Sequence, residues 1–236
     1  MRRIYRNSFD TEGFCAFEVS YKYSNLFIKS CSDNRFEIFE LLKKLIEQLE
    51  SYISKRKEFL TSLKPIKTDR KAPKIANIMI EAAKRADVGP MAAVAGAIAE
   101  EIGRYILKNC QECVIENGGD LFLKLNRPAR IGIYTNNPLF KDYITFSVNL
   151  NNQAFGVCAS SSKIGPSLSK GKADLSVIID KNTAFADAMA TATANMIKET
   201  SDIEKAINFA KSKGVIGCLF IKDEKLGIWG NLKLIS

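Results

Sequence analysis

Hydrophobic and polar positions along this chain change period several times, and each change predicts an element. Residues 14–20 and 26–30 alternate in twos, as half-buried strands do, with Tyr23-Ser24-Asn25 near the turn between them. Phe36, Phe39, Leu42, Leu45, Ile46, Leu49 and Ile53 then recur at threes and fours, which predicts a long amphipathic helix that Ser32 or Asp33 can cap. Pro65 and the basic stretch 67–73 read as a polar connection, followed by a helix over 74–86. Gly89-Pro90 opens another helix over 91–104, since proline suits a first helical turn. Its small residues Ala92, Ala95, Gly96 and Ala99 would let another backbone come close. Short strands are expected at 113–117, 121–125, 130–134, 143–150, 154–158 and 175–180, and an alanine-rich helix at 184–197. Ser201 and Glu204 carry the spacing of a capping box for a helix ending near Lys213-Gly214. Residues 215–221 and 226–234 read as a hairpin around Asp223-Glu224-Lys225. Strands and helices come in clusters rather than in strict alternation, so the fold class expected is α+β, with mainly antiparallel sheets flanked by helices.

Size adds one constraint. The chain has 236 residues, 46% of them hydrophobic, enough for one sizeable core. A single domain over 1–236 is expected, with at most a soft division near 65–73.

Charge and composition exclude more than they select. The net charge is +9, and residues 1–74 supply +6 of it, from 16 Lys/Arg against 10 Asp/Glu. Such a balance favours anionic partners. Few aromatics interleave with these charges, which disfavours single-stranded nucleic acid as the ligand. The chain contains no histidine, so Ser-His-Asp triads, Cys-His pairs and histidine metal sites are all excluded. The basic start lacks an apolar signal core, and no apolar run approaches the ~20 residues that span a bilayer. A cytoplasmic, reducing setting is therefore expected, with Cys15, Cys31, Cys110, Cys113, Cys158 and Cys218 present as thiols. Cys110-Gln-Glu-Cys113 is a lone pair at a helix-to-strand turn, weak as a metal or redox motif.

Three segments can carry chemistry. In Glu116-Asn117-Gly118-Gly119-Asp120, paired glycines permit positive φ and close approach of backbone to a ligand; Asn117 and Asp120 could hydrogen-bond a base, a flavin ring or a ribose. Asn-Gly is equally a plain hairpin turn. The stretch from Gly156 to Ser167 offers Ser160, Ser161 and Lys163, which with backbone N–H groups could cradle a pyrophosphate; it is equally a polar surface loop. No Walker A or G-x-G-x-x-G spacing occurs there. In the alanine-rich helix, Asp187 and Thr191 are four apart on one face and could hold a hard cation through oxygen. A first-turn carboxylate at Asp187, favoured by the helix dipole, and a Thr191 hydroxyl bonded back to a carbonyl would account for both without a ligand.

Together these segments resemble the ApbE superfamily of flavin-transferase-like proteins. Glu116-Asn-Gly-Gly-Asp120 and Ala186-Asp-Ala-Met-Ala-Thr191-Ala are the shared marks. Val88-Gly-Pro-Met-Ala-Ala-Val-Ala-Gly96, Val114 to Asp120, Gly156-Val-Cys158 and Gly171-Lys-Ala-Asp174 are similar to the uncharacterised branch of archaea and anaerobic bacteria. The resemblance runs over roughly residues 14–234. It implies an ApbE-like fold, Mg²⁺ held by Asp187 and Thr191, and FAD or FMN beside the Asn117–Asp120 turn. ApbE enzymes split FAD and attach FMN to a threonine of an acceptor protein; the base for such a step here would be Asp187 or Asp174.

The resemblance also shows departures. Pro166 stands where the branch has histidine, Ser162 where it has glycine and Lys163 where it has threonine. Pro166 can neither exchange a proton nor ligate a metal. A protein that binds a flavin nucleotide or similar anion without transferring it is therefore the first expectation. A Mg²⁺-dependent FMN transferase is the second. An accessory role in anaerobic sulfur assimilation and homocysteine formation, with Cys158 as a persulfide carrier, is the third, and a nucleic-acid-binding protein the last. The expected partners are a small anionic ligand and an acceptor protein, with a homodimer compatible and no membrane.

Overall fold

A computed structural model describes residues 13–135, 137–140, 143–149, 151–161 and 172–235. Among the described residues eleven strands, β1 (Cys15–Tyr21), β2 (Ser24–Ser30), β3 (Cys113–Asn117), β4 (Asp120–Lys124), β5 (Ala129–Tyr134), β6 (Tyr143–Val148), β7 (Phe155–Ser160), β8 (Leu175–Asp180), β9 (Gly217–Lys222), β10 (Lys225–Gly230) and β11 (Lys233–Ile235), build two sheets. The larger runs β1-β2-β3-β4-β7-β8-β9-β10, the smaller β11-β6-β5, and every neighbouring pair is antiparallel. The α+β expectation is met.

The helices are α1 (Arg35–Lys55), α2 (Glu58–Thr61), α3 (Lys74–Ala86), α4 (Val94–Ile106), α5 (Thr183–Met196) and α6 (Asp202–Ser212). Alternation along each strand divides the core in two. Ile115, Phe122, Cys158, Ile178 and Phe220 meet the helices, whereas Val114, Leu123, Val157, Val177 and Leu219 pack with Ile131, Phe146 and Val148 of the small sheet. Central strands are thus covered on both faces, which is why β3, β8 and β9 are buried at every position. Register follows from the same pattern: a slip of one residue in β7 would send Cys158 and Ser160 to the wrong layer.

Several local expectations are corrected. The segment 91–104 begins with a 3₁₀ turn at Pro90–Ala93 and becomes α-helical only at Val94. Gly89 explains the tight entry, since a Cβ there would lie 1.8 Å from the Ser62 carbonyl oxygen. Neither Ser32 nor Asp33 is the N-cap of α1, a place taken by Asn34 without a side-chain bond. Asp33 instead accepts from the Arg35 N–H and guanidinium. The Ser201 capping box does not close either; Asp202 accepts the N–H groups of Lys198 and Glu199 instead. Residues 226–234 are not one strand. Gly230, at φ 98°, ends β10 against the Ile216 carbonyl, and β11 crosses to the small sheet.

The cysteines also depart from expectation, because Cys31 and Cys110 form a disulfide across 79 residues of sequence. Compartment reasoning from the N-terminus cannot see that the end of β2 lies beside the end of α4. Cys113, Cys158 and Cys218 are buried thiols and Cys15 is an exposed one. Among the described residues no helix is long and apolar enough to cross a membrane.

Candidate functional site

The β3–β4 hairpin, the end of β7 and the helices α4 and α5 meet on the helical side of the large sheet. Asn117 and Asp120 are partners across the hairpin, and Gly118 and Gly119 between them sit at φ 68° and 108°. Two positive φ values are what a two-residue hairpin needs to match the strand twist. A Cβ added to either glycine would meet no described atom within 4 Å, so no described side chain covers the turn. Glu116 fixes its shape by accepting the Gly119 N–H at 2.7 Å. Asn117 donates to the Ala95 carbonyl at 3.1 Å, which ties the turn to the start of α4.

Asp120 points to the same side. Its carboxylate accepts the Ala159 N–H at 3.1 Å and the Cys158 thiol. Burial pushes its pKa from 3.8 up to about 7, and repulsion from Glu116 adds to this. Cys158 is fully buried, with its sulfur 3.5 Å from the Thr183 carbonyl. Its single S–H serves either that carbonyl or Asp120 at one time. Burial, then the charges of Asp120 and Asp187, push the thiol well above its ordinary value. A persulfide carrier needs an accessible thiolate. Cys158 has neither property, and that expectation is withdrawn.

Asp187 does not lie in the first turn of α5, which starts at Thr183. The side chain that caps α5 is Asn182, which accepts the Phe185 N–H at 2.7 Å. Asp187 reaches across to α4 instead, accepting the Gly96 N–H at 2.8 Å and that of Ala95. Ala93, the N-cap of α4, has no side chain able to accept, so Asp187 takes over that role from the neighbouring helix. Burial and then the charge of Asp120 raise its pKa well above the carboxylate range, against the lowering effect of those two N–H groups. Among the described residues, no Lys or Arg forms a salt bridge with either Asp120 or Asp187.

Small residues allow this contact. A Cβ on Gly96 would stand 2.5 Å from the Thr183 carbonyl oxygen and 2.8 Å from the Asp187 Cβ. The close backbone approach expected of the small-residue stripe is therefore real at Gly96. Glu100, one turn further along α4, was not singled out from the sequence. It is buried and accepts the Thr183 N–H at 2.7 Å and the Ala184 N–H at 3.4 Å, while its other oxygen holds Arg104. A carboxylate on an otherwise apolar face, four residues after Gly96, was the available signal.

The remaining expected site residues spread out. Thr191 lies one turn beyond Asp187 on α5 and is half-buried. Ser160 ends β7 opposite Ser176, whose hydroxyl is 2.8 Å from that of Thr193 on α5. The Ser160 hydroxyl is buried without a described partner, and Ser161 beside it is buried too. Asp174 stands apart from this group in its bonding. It accepts the Asp223 N–H at 2.7 Å and the Asn137 amide at 3.1 Å, fastening the β9–β10 turn. Lys163 and Pro166 lie outside the described residues. Among the described residues no three acidic or thiol side chains converge to bind a metal by themselves.

Comparison with known proteins gives a consistent result. Residues 6–212 match the profile of a family described as AbpE bacteria. A UPF0280 protein of Methanocaldococcus jannaschii is 36% identical over 223 residues, covering 91% of this chain and 90% of its own. Another from Methanococcus maripaludis is 34% identical over 222 residues, covering 89% of each. Two solved structures share the fold at low identity. Flavin transferase ApbE from Vibrio cholerae has a TM-score of 0.57 at 13% identity, covering 92% of this chain and 96% of its own. The apo flavinyl transferase ApbE of Pseudomonas stutzeri has 0.59 at 14%, covering 92% and 93%.

Proposed function

The chain belongs to the AbpE bacteria family and so to the ApbE superfamily, and on that premise we propose that it binds a flavin nucleotide through a divalent cation at the Asp187 face of α5. One observation carries this reading. Asp120 and Asp187, from two elements that share no sequence neighbourhood, are both buried, and the charge of Asp120 reaches Asp187 and raises its pKa, with no described cationic side chain paired to either. Two such carboxylates stay neutral, or a bound cation holds them.

The donor set fits a hard ion. Asp187, the Thr191 hydroxyl one turn away, and the orphaned Ser160 hydroxyl and carbonyls at the end of β7 are all oxygen. The Cys158 thiol beside it is buried and held in its protonated form, so it does not compete as a ligand. Mg²⁺ in such a place would offset the charge of a pyrophosphate and polarise its phosphorus. The protein's own part is to bind and orient. The Gly118-Gly119 turn presents backbone with no described side chain in the way, and Asn117 keeps that turn fixed on α4. Asp187 accepts the Gly96 and Ala95 N–H groups and retains further lone pairs. Asp174, locked to Asp223 and Asn137, serves the fold in this reading and not a proton transfer.

Titrating the protein with FAD, with Mg²⁺ or with EDTA, and following flavin fluorescence tests the proposal. Binding that needs Mg²⁺ and weakens about tenfold or more in Asp187→Ala is expected, the size of one lost charged contact. No binding by the wild-type protein, or equal binding by the variant, overturns it. The same mixtures analysed for AMP and FMN decide whether binding proceeds to cleavage.

A further inference from the structure

We propose that Glu100 is the positioning residue of this site: it fixes α5, and with it Asp187, against the start of α4. The inference rests on the preceding reading only for its choice of ligand. Its basis is a closed ring of contacts. Gly96 donates to Asp187; one turn back along α5, Thr183 donates to Glu100; one turn back along α4 lies Gly96 again. Two antiparallel helices thus cap each other with carboxylates across a gap that Gly96 keeps narrow.

The first turn of a helix leaves its N–H groups without partners, and buried ones need an acceptor. In α5, Asn182 serves Phe185, and Glu100 serves Thr183 and Ala184. Thr183 and Asp187 are four residues apart, so whatever fixes the first sets the height and rotation of the second. Arg104 completes the device by taking the other Glu100 oxygen at 2.5 Å, which holds the rotamer that faces α5. Without Glu100, two buried N–H groups lose their acceptor. The helix start then moves to find another, and the Asp187–Gly96 bond lengthens with it. Glu100 does this through Asp187 and touches no ligand.

Glu100→Gln keeps an acceptor oxygen and removes the charge, whereas Glu100→Ala removes both. Two readouts apply: affinity for Mn²⁺ in place of Mg²⁺, and hydrogen exchange of the Gly96 amide measured without any ligand. Glu100→Ala is expected to weaken Mn²⁺ binding about tenfold and to speed Gly96 exchange about tenfold, the usual effect of one lost buried bond. Glu100→Gln should stay within about threefold of wild type in both. A Gln variant as weak as Ala would show that charge, and not capping, matters, and would overturn the proposal. So would wild-type Gly96 protection and affinity in the Ala variant. Should the wild-type protein bind no Mn²⁺, the functional reading falls and Gly96 exchange alone decides the clamp. Should Glu100→Ala fail to fold, Arg104→Ala replaces it, with about threefold faster Gly96 exchange supporting the clamp and unchanged exchange refuting it.

Discussion

At the scale of single residues, the buried carboxylates and thiols behave unlike their free counterparts. Asp120 has a folded pKa of about 7 against 3.8 for the free group. The folded state therefore holds this proton more tightly than the unfolded chain. Its stabilising effect is complete below about pH 4 and is lost as pH rises through about 7. Asp120→Asn keeps an acceptor for the Ala159 N–H and cannot ionise. In EDTA, the wild-type melting temperature should fall between pH 5 and 8 while the variant's curve is flatter. At pH 8 the variant should be the more stable by about 1–3 kcal/mol. Thermal melts across that range check the sign, and a steeper fall in the variant would contradict it. Cysteine accessibility gives a second measurement. Cys15 is exposed while Cys113, Cys158 and Cys218 are buried, and burial pushes both Cys113 and Cys218 up to about 12. In the native oxidised protein, an alkylating reagent should label Cys15 quickly and the other three only on unfolding.

At the scale of elements, close approach governs the result. Gly103 faces the Phe122 ring, which a Cβ would approach to 2.1 Å. Gly103→Ala should cost about 1–3 kcal/mol, since the ring can shift only by disturbing the core around it. At Gly96 the obstruction is the Thr183 backbone. Backbone moves less readily than a side chain, so Gly96→Ala should cost more than Gly103→Ala in denaturant melts, and it should also open the helix pair that carries Asp187. Helix and strand positions were legible because their signal is local. The strand 113–117 and the helix 74–86 are found at the residues expected for them. The caps were not legible. Ser32, Asp33 and Ser201 have the right chemistry for capping, yet α4 and α5 are capped by Asp187, Glu100 and Asn182, two of which come from a different helix.

At the scale of the whole molecule, the Cys31–Cys110 bond closes a loop of 79 residues that includes α1 and α3. Cross-linking a loop of that length typically contributes about 2–4 kcal/mol. Reduction, or Cys31→Ser, should lower the melting temperature without altering flavin binding, because neither sulfur contacts the Asp187 group. Equal melting with and without reductant would show that the link adds nothing to stability. The same view explains the position of the site. The large sheet presents Asp120, Cys158 and Ser160 on one face, and α4 and α5 cross above them.

The sequence by itself determined the α+β class, the elements and their periods, and the family to which the residues around Asn117 and Asp187 belong. Those depend on spacing within a few residues or on motifs that persist as written. Tertiary structure decided which groups meet. Asp187 faces Gly96 and Asp120, Asp174 is held by Asp223, and Cys31 joins Cys110. Each of these pairs is far apart in sequence, and no local propensity encodes them. They arise when buried N–H groups and carboxylates must find partners inside a packed core, where water cannot supply one.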